Sequence, residues 1–287
     1  MIADRRCLMS DIRYTNSKNI KIRDLTSDIQ NQTSDITNKK MFIDINCDLG
    51  EGMPNDAALM PFISSANIAC GFHAGDEETM RRTIALAIEH DVAIGAHPGF
   101  PDKENFGRTE MDFPEEDIVS IVSEQIYIML DLVFAMGGKL QHVKPHGALY
   151  NMSARDLSLA NAIANAIKDI DENLILFGLS GSKSIQAAES IGLQTANEVF
   201  ADRSYSSDGN LISRKEKNAL ISDVSRMEKQ VLQMIQEQQV TSVDGSIVPL
   251  KADTICIHGD GEHAIVFAKQ LHQLLHNHHI TLQSFKR

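Results

Sequence analysis

Groups able to move protons, hold metal ions or bind anions recur at one kind of place in this chain. They stand just after a short apolar run and just before a helical one. Asp48 and Glu51 follow the run 42–47, His73 follows 66–70, and His97 follows 92–96. Lys144 and His146 close the run 140–144, Glu198, Asp202 and Arg203 accompany 195–200, and His258 and Asp260 follow 254–257. Asp48, His73, His97 and His146 are the candidates for general acid and base work. Arg108, Lys144 and Arg203 are candidates for neutralising a phosphate or carboxylate, and His258, Gly259, Asp260 and Gly261 precede a helix start that suits a phosphate. Each position has a mundane alternative: a hydrogen-bonded scaffold histidine, a helix-capping aspartate, a lysine reaching solvent. Separate mundane explanations for every strand tip are harder to sustain than one shared site.

The elements that must position these groups alternate. Strands are expected at 42–47, 66–70, 92–96, 140–144, 174–178, 195–200 and 254–257, with 280–282 as a candidate closing strand. Helices are expected over 76–90, with Met80, Ile84 and Ile88 on one face, and from Pro114 to the pair Gly137-Gly138. A third is framed by Ser153 and Asp156 in capping-box spacing, and others span Ser182 to Gly192 and about 216–238. The last carries a stripe of Ala264, Phe267, Ala268, Leu271, Leu274 and Leu275. Asp244-Gly245 suits a small hairpin, and the Ser/Gly-rich loop 201–213 is long enough for a lid. This order predicts an α/β protein built as a closed (β/α) barrel of seven strands over 41–287, whose strand tips open on one face. No G-x-G-x-x-G follows the first strand, which disfavours a dinucleotide-binding sheet.

Residues 1–40 differ. They contain no His, Gly or Pro and carry eight basic and five acidic groups, net +3. The remainder holds 19 basic and 34 acidic groups, net −15. The first 40 residues read as a disordered tail or an early start, since Met41 opens the first convincing strand. An acidic body excludes a general nucleic-acid surface. No apolar run approaches the ~18 residues of a membrane span and no secretory h-region is present. The four cysteines lack C-x-x-C spacing, so a reduced cytoplasmic setting is expected. The segment G-L-S-G-S-K-S from Gly178 lacks the glycine that a Walker A loop places before Lys-Ser, and His272, His276, His278 and His279 read as a solvated helix end.

Seven blocks carry a family resemblance: I-D-I-N-C-D-L-G-E-G, S-S-A-N-I-A-C-G-F-H-A-G-D, A-I-G-A-H-P-G-F-P-D, N-F-G-R, H-V-K-P-H-G-A-L-Y-N, E-V-F-A-D-R and H-G-D-G-E-H-A. Together they resemble the LamB/YcsF family from about residue 41 to 282. The resemblance implies a seven-stranded barrel related to the glycoside hydrolase and polysaccharide deacetylase barrels. It also implies ATP-dependent opening of 5-oxoproline to L-glutamate, with ATP and Mg2+, alongside 5-oxoprolinase subunits B and C and without nucleic acid or membrane. A phosphorylated lactam oxygen would make a stabilised amide a good electrophile. The alternative expectation is a metal-dependent hydrolase of a carbohydrate amide or ester, for which deacetylase likeness suggests a divalent metal held by Asp48, His73 and His97; the sequence leaves open whether those residues do acid–base work or bind metal.

Overall fold

In the computed structural model, the described residues are 41–258 and 264–285. The expectation for residues 1–40 lies outside them.

Seven parallel strands form the barrel. They are β1 (Met41–Leu49), β2 (Ser65–Ala69), β3 (Ala93–His97), β4 (Leu140–Val143), β5 (Ile175–Leu179), β6 (Gln194–Phe200) and β9 (Thr254–His258). Each pairs with the next in that order, and β9 pairs with β1 through Asp44↔Thr254 to Asp48↔His258, which closes the ring. Closure leaves no exposed edge within the ring. The expected closing strand plays another part: β10 (Ile280–Leu282) pairs with the first residues of β1, Met41–Ile43, outside the ring. The small hairpin forms as β7 (Gln239–Thr241) and β8 (Ile247–Pro249), with Gly245 at φ +88 in its turn.

Most helices match their sequence signals. After the short α1 (Asp56–Leu59), α2 (Glu77–Glu89) starts at Asp76, whose carboxylate accepts a hydrogen bond from Thr79 N. Its buried face is Met80, Thr83, Ile84 and Ala87, while Ile88 is exposed, one position off the expected stripe. Helix α3 (Glu115–Ala135) is long and apolar enough to cross a membrane by length and composition, contrary to expectation. Here Ile118, Val122, Ile126, Met129 and Val133 are buried, and the helix packs on α5 and on the strands. The capping box does not form. Ser153 ends a separate helix, α4 (Gly147–Ser153), and Asp156 alone caps α5 (Leu157–Ile170), accepting from Ser158 N and Leu159 N. Such a cap contributes about 1 kcal/mol. Helix α6 spans Lys183–Ser190. Helix α7 (Val224–Glu237) begins later than 216, because Asp223 caps it and Arg203↔Leu220 ties the preceding loop down. Helix α8 (Ala264–Asn277) buries the whole predicted stripe.

The strands sort their side chains by alternation. In β1, Ile43, Ile45, Cys47 and Leu49 join the apolar shell beneath the helices. Asp44, Asn46 and Asp48 enter a polar network inside the ring. Thr254 Oγ1 donates to Asp44 and accepts from Asn46 Nδ2 at 2.7 Å, and Asn67 Nδ2 donates to both Asn46 and Asp48 at 2.8 Å. The interior is therefore largely hydrogen-bonded, with one small apolar cluster of Ile175, Phe177 and Ala196 against Phe285. His142 is wholly buried, with Nε2 2.8 Å from Asn67 Oδ1. It fits because its neighbour is Gly95: a Cβ there would lie 2.1 Å from His142 Nε2.

Two outcomes follow from this interior. Gly95→Ala lowers stability by about 1–3 kcal/mol through overpacking, and His142→Ala in the same chain restores part of it. Denaturant midpoints measure both, and an unchanged single variant would remove Gly95 from this role. Burial pushes the Asp44 carboxyl up to about 6, against the lowering by Ser64, Thr254 and Ser65. The folded chain thus holds a proton that the unfolded chain releases near 3.8. Stability from this group is full below about pH 4 and is lost as pH rises through 6, by about 3 kcal/mol. Asp44→Asn removes that loss, so its melting temperature gains on the wild type between pH 4 and 7. Parallel pH profiles would refute the assignment.

Candidate active site

The polar network rises to the carboxyl ends of the strands. Lys144, just past β4, is 2% exposed rather than reaching solvent. Its Nζ lies 2.8 Å from Asp48 Oδ1 on one side and 2.8 Å from Glu198 Oε1 on the other. Nζ also approaches Asn46 Oδ1 at 3.2 Å and Cys256 Sγ at 3.1 Å. Burial alone would discharge the ammonium, but Asp48, Cys256 and Glu198 outweigh it and hold the lysine well above its ordinary value. Asp48 is held well below the carboxylate range: burial pushes it up, and His97 and Lys144 more than offset that.

Above Asp48 sits a histidine cluster. His73 and His146 stack, with ring centroids 3.8 Å apart and planes 7° from parallel. His97 stands edge-on to both. His97 Nε2 lies 3.4 Å from Asp48 Oδ2 and 2.9 Å from His146 Nδ1. Glu51 joins through Oε1, 3.5 Å from His146 Nδ1 and 3.8 Å from His73 Nε2. Burial, then the neighbouring imidazoles, depress both stacked rings, His146 to about 3 and His73 further still. Both rings are neutral near pH 7 and offer lone pairs.

Backbone geometry holds the cluster tightly. The turn Lys103–Asn105 is capped by Asp102, and the next residue, Phe106, adopts φ +58. A non-glycine residue there stores strain, of order 1–3 kcal/mol. The strained residue's carbonyl accepts a hydrogen bond from His146 Nε2 at 2.9 Å. A Cβ on Gly99 would lie 2.6 Å from His73 Nδ1, and one on Gly107 would lie 2.8 Å from His73 Cβ. Glycine is required there by close approach. On the other side of the mouth, His258 Nδ1 meets Asp202 Oδ2 at 2.8 Å. Burial raises the Asp202 carboxyl, and His258 then brings it below its ordinary value.

The structure thus brings Asp48, His73, His97, Lys144 and His146 into one connected group, with His258 level with Asp48 across the β1–β9 pair. Arg203 is 5% exposed; its Nη2 donates to Ile212 O, and burial beside Arg214 lowers its pKa. Arg108 is exposed, with its guanidinium 4.9 Å from the Phe106 ring centre. Gly259, Asp260 and Gly261 lie outside the described residues. Sequence reasoning noted Glu51 and Glu198 as polar tips without giving either a role, and passed over Cys256, Asn67 and His142. The signal for these was the alternation of polar residues within strands. At the start of α6, Lys183 Nζ reaches Gln186 Oε1 at 3.1 Å.

Known proteins give this geometry a setting. A sequence profile of the LamB/YcsF family matches residues 43–287. The 5-oxoprolinase A subunit of Shouchella clausii (strain KSM-K16) is 53% identical over 247 residues, covering 84% of this chain and 98% of that protein. Its counterpart in Geobacillus kaustophilus (strain HTA426) is 51% identical over 249 residues, 85% of this chain and 97% of that one. The crystal structure of a lactam utilization protein from Thermus thermophilus shares 38% identity and a TM-score of 0.81, covering 85% of this chain and 100% of that one.

Replacing Lys144 tests the centre of this network. Lys144→Met leaves Asp48 and Glu198 buried without their shared cation, and such removals cost about 3–5 kcal/mol. Glu198→Gln added to it recovers part of the loss in a denaturation series. A Lys144→Met protein as stable as the wild type would mean the ion triad does not hold the interior.

Proposed function

Because the chain belongs to the LamB/YcsF family, we propose that it acts as the A subunit of a 5-oxoprolinase. The enzyme opens 5-oxo-L-proline to L-glutamate while ATP is hydrolysed to ADP and phosphate. The observation that carries this reading is 53% identity extending over 98% of a relative that bears that name. The cytoplasm is the compartment that supplies ATP, and subunits B and C are the partners.

A lactam resists water because its nitrogen lone pair is delocalised into the carbonyl. In the reaction proposed, the γ-phosphoryl of ATP goes to the lactam oxygen, which weakens that delocalisation. Water then adds to the carbon and the ring C–N bond breaks with a proton delivered to nitrogen, leaving an acyl phosphate, which a second water hydrolyses to the carboxylate and inorganic phosphate. The geometry suits several of these needs. Asp48, ionised and aimed at the mouth, can accept the proton of the attacking water. His73 and His146 supply neutral imidazoles nearby, and His97 Nε2 stands 3.4 Å from Asp48 Oδ2. Lys144 keeps the Asp48 carboxylate charged, so its proposed part is electrostatic, and it contributes positive potential to a substrate anion. Arg203 and Arg108 are the proposed partners for phosphate or the substrate carboxylate. His258, held by Asp202, leads into Gly259, Asp260 and Gly261, the proposed nucleotide-phosphate segment, where Mg2+ would accompany ATP.

The test mixes this chain with subunits B and C and follows 5-oxoproline-dependent ADP release. Asp48→Asn and His73→Ala each lower the rate at least 100-fold; His73→Ala keeps the melting temperature to within a few degrees, whereas Asp48→Asn, which leaves Lys144 a single carboxylate, lowers it. Full activity in both variants would remove the barrel mouth from the chemistry. ADP release without 5-oxoproline dependence would remove the reaction.

A further inference from the structure

Four side chains near the barrel mouth, Glu51, His73, His97 and His146, lie with one possible ligand atom each inside 4.8 Å of one another. Proximity alone proves little, but the hydrogen bonds on the far side of two rings do more. His97 Nδ1 lies 2.7 Å from the backbone carbonyl of Lys144, and His146 Nε2 lies 2.9 Å from that of Phe106. A carbonyl oxygen only accepts, so each of those nitrogens carries the ring proton. The remaining nitrogens, His97 Nε2 and His146 Nδ1, are then both lone-pair donors, and they face each other at 2.9 Å. Two bare nitrogens at that distance repel unless a cation or an extra proton lies at their shared side. His73 sharpens the case: it is buried, and neither ring nitrogen makes a hydrogen bond among the described residues.

The geometry points to a divalent transition-metal site formed by His97 Nε2, His146 Nδ1 and the Glu51 carboxylate, with His73 as a fourth ligand once its ring turns out of its stack on His146. Backbone carbonyls fix the tautomers of two ligands from behind, the arrangement that metal-bound histidines ordinarily have. Imidazole-rich sets with one carboxylate suit zinc, cobalt and similar ions over magnesium or calcium. Nitrogens 2.9 Å apart subtend about 90° at an ion roughly 2.0–2.1 Å from each, which makes them adjacent ligands in a five- or six-coordinate sphere with room for an exchangeable ligand. Asp48 is a neighbour of this set and not a member: Lys144 and Asn67 hold its Oδ1, and its Oδ2, 3.4 Å from His97 Nε2, is not among the four ligand atoms that converge within 4.8 Å. The ligand set therefore differs from Asp48, His73 and His97. Such an ion would polarise a carbonyl or activate water at the mouth.

Metal binding is measurable without substrate or partner subunits, so its failure and that of the lactam reading are distinguishable. The full chain, stripped with chelator, is titrated with Zn2+ by calorimetry and with Co2+ by visible absorption. One equivalent of each binds, and Co2+ gives a d–d band. His146→Asn and Glu51→Gln each weaken binding at least 10-fold, whereas His276→Asn, in the separate histidine group on α8, leaves it unchanged. Absence of the band in the wild type would overturn the assignment and leave a shared proton between His97 and His146. A band lost with His276→Asn would overturn it equally, by moving the ion to the helix.

Discussion

The buried ammonium of Lys144 between the carboxylates of Asp48 and Glu198 sets the terms for the rest of the molecule. A parallel barrel this size would ordinarily fill its centre with branched apolar side chains. Here a cation needs two anions, and those anions need donors of their own, so polarity propagates. Asp48 draws in Asn67, Asn67 draws in Asn46 and His142, and Asn46 draws in Thr254 and through it Asp44. Each link is satisfied by the next strand, which is why the interior tolerates so many polar atoms. The apolar free energy of folding comes instead from the shell between strands and helices, where Ile45, Ile68, Val143, Val199 and Ile255 are buried.

That division has a functional corollary. A hydrocarbon interior stops abruptly at a mouth, whereas this interior leads straight into it. Asp48 touches Lys144 below and His97 above, so one carboxylate belongs to both the scaffold and the site. A change of charge at the mouth is therefore felt along the axis. The loop carrying Phe106 and Gly107 adds rigidity from the opposite side. Its strained backbone is held by Asp102, which accepts from Asn105 and Thr109.

Much of this was legible in the residues. Apolar runs ending in Asp48, His73, His97, Lys144 and His258 marked the strands and their shared face, and the α8 stripe was read correctly. The failures have physical reasons. Ser153 and Asp156 have capping-box spacing, but Ser153 sits on a separate short helix and bonds Tyr150 O and Ser184. Ile88 continues a fourfold repeat that drifts off the buried face, since 3.6 residues make a turn. The interior network was hidden because Asp44, Asn46 and Asp48 alternate with apolar residues, a pattern that usually signals a wet face. Only closure turns that face inward, and closure is a property of the whole ring. Glu51 was seen as a polar tip but given no role, because it reaches the histidines from a loop, where spacing carries no periodic signal.

The seam of the ring lies between β1 and β9, whose side chains are joined by bonds spanning 208 and 210 residues. Strand β1 is also flanked by β10. On a ribosome, then, the first strand to emerge waits for almost the last. Strands β2 to β6 can associate in sequence, but the sheet stays an open arc, with the ionic axis wet, until β9 clears the exit tunnel. During synthesis the nascent arc is a natural client for chaperones, and completion of the cylinder is the event that dries its charged centre.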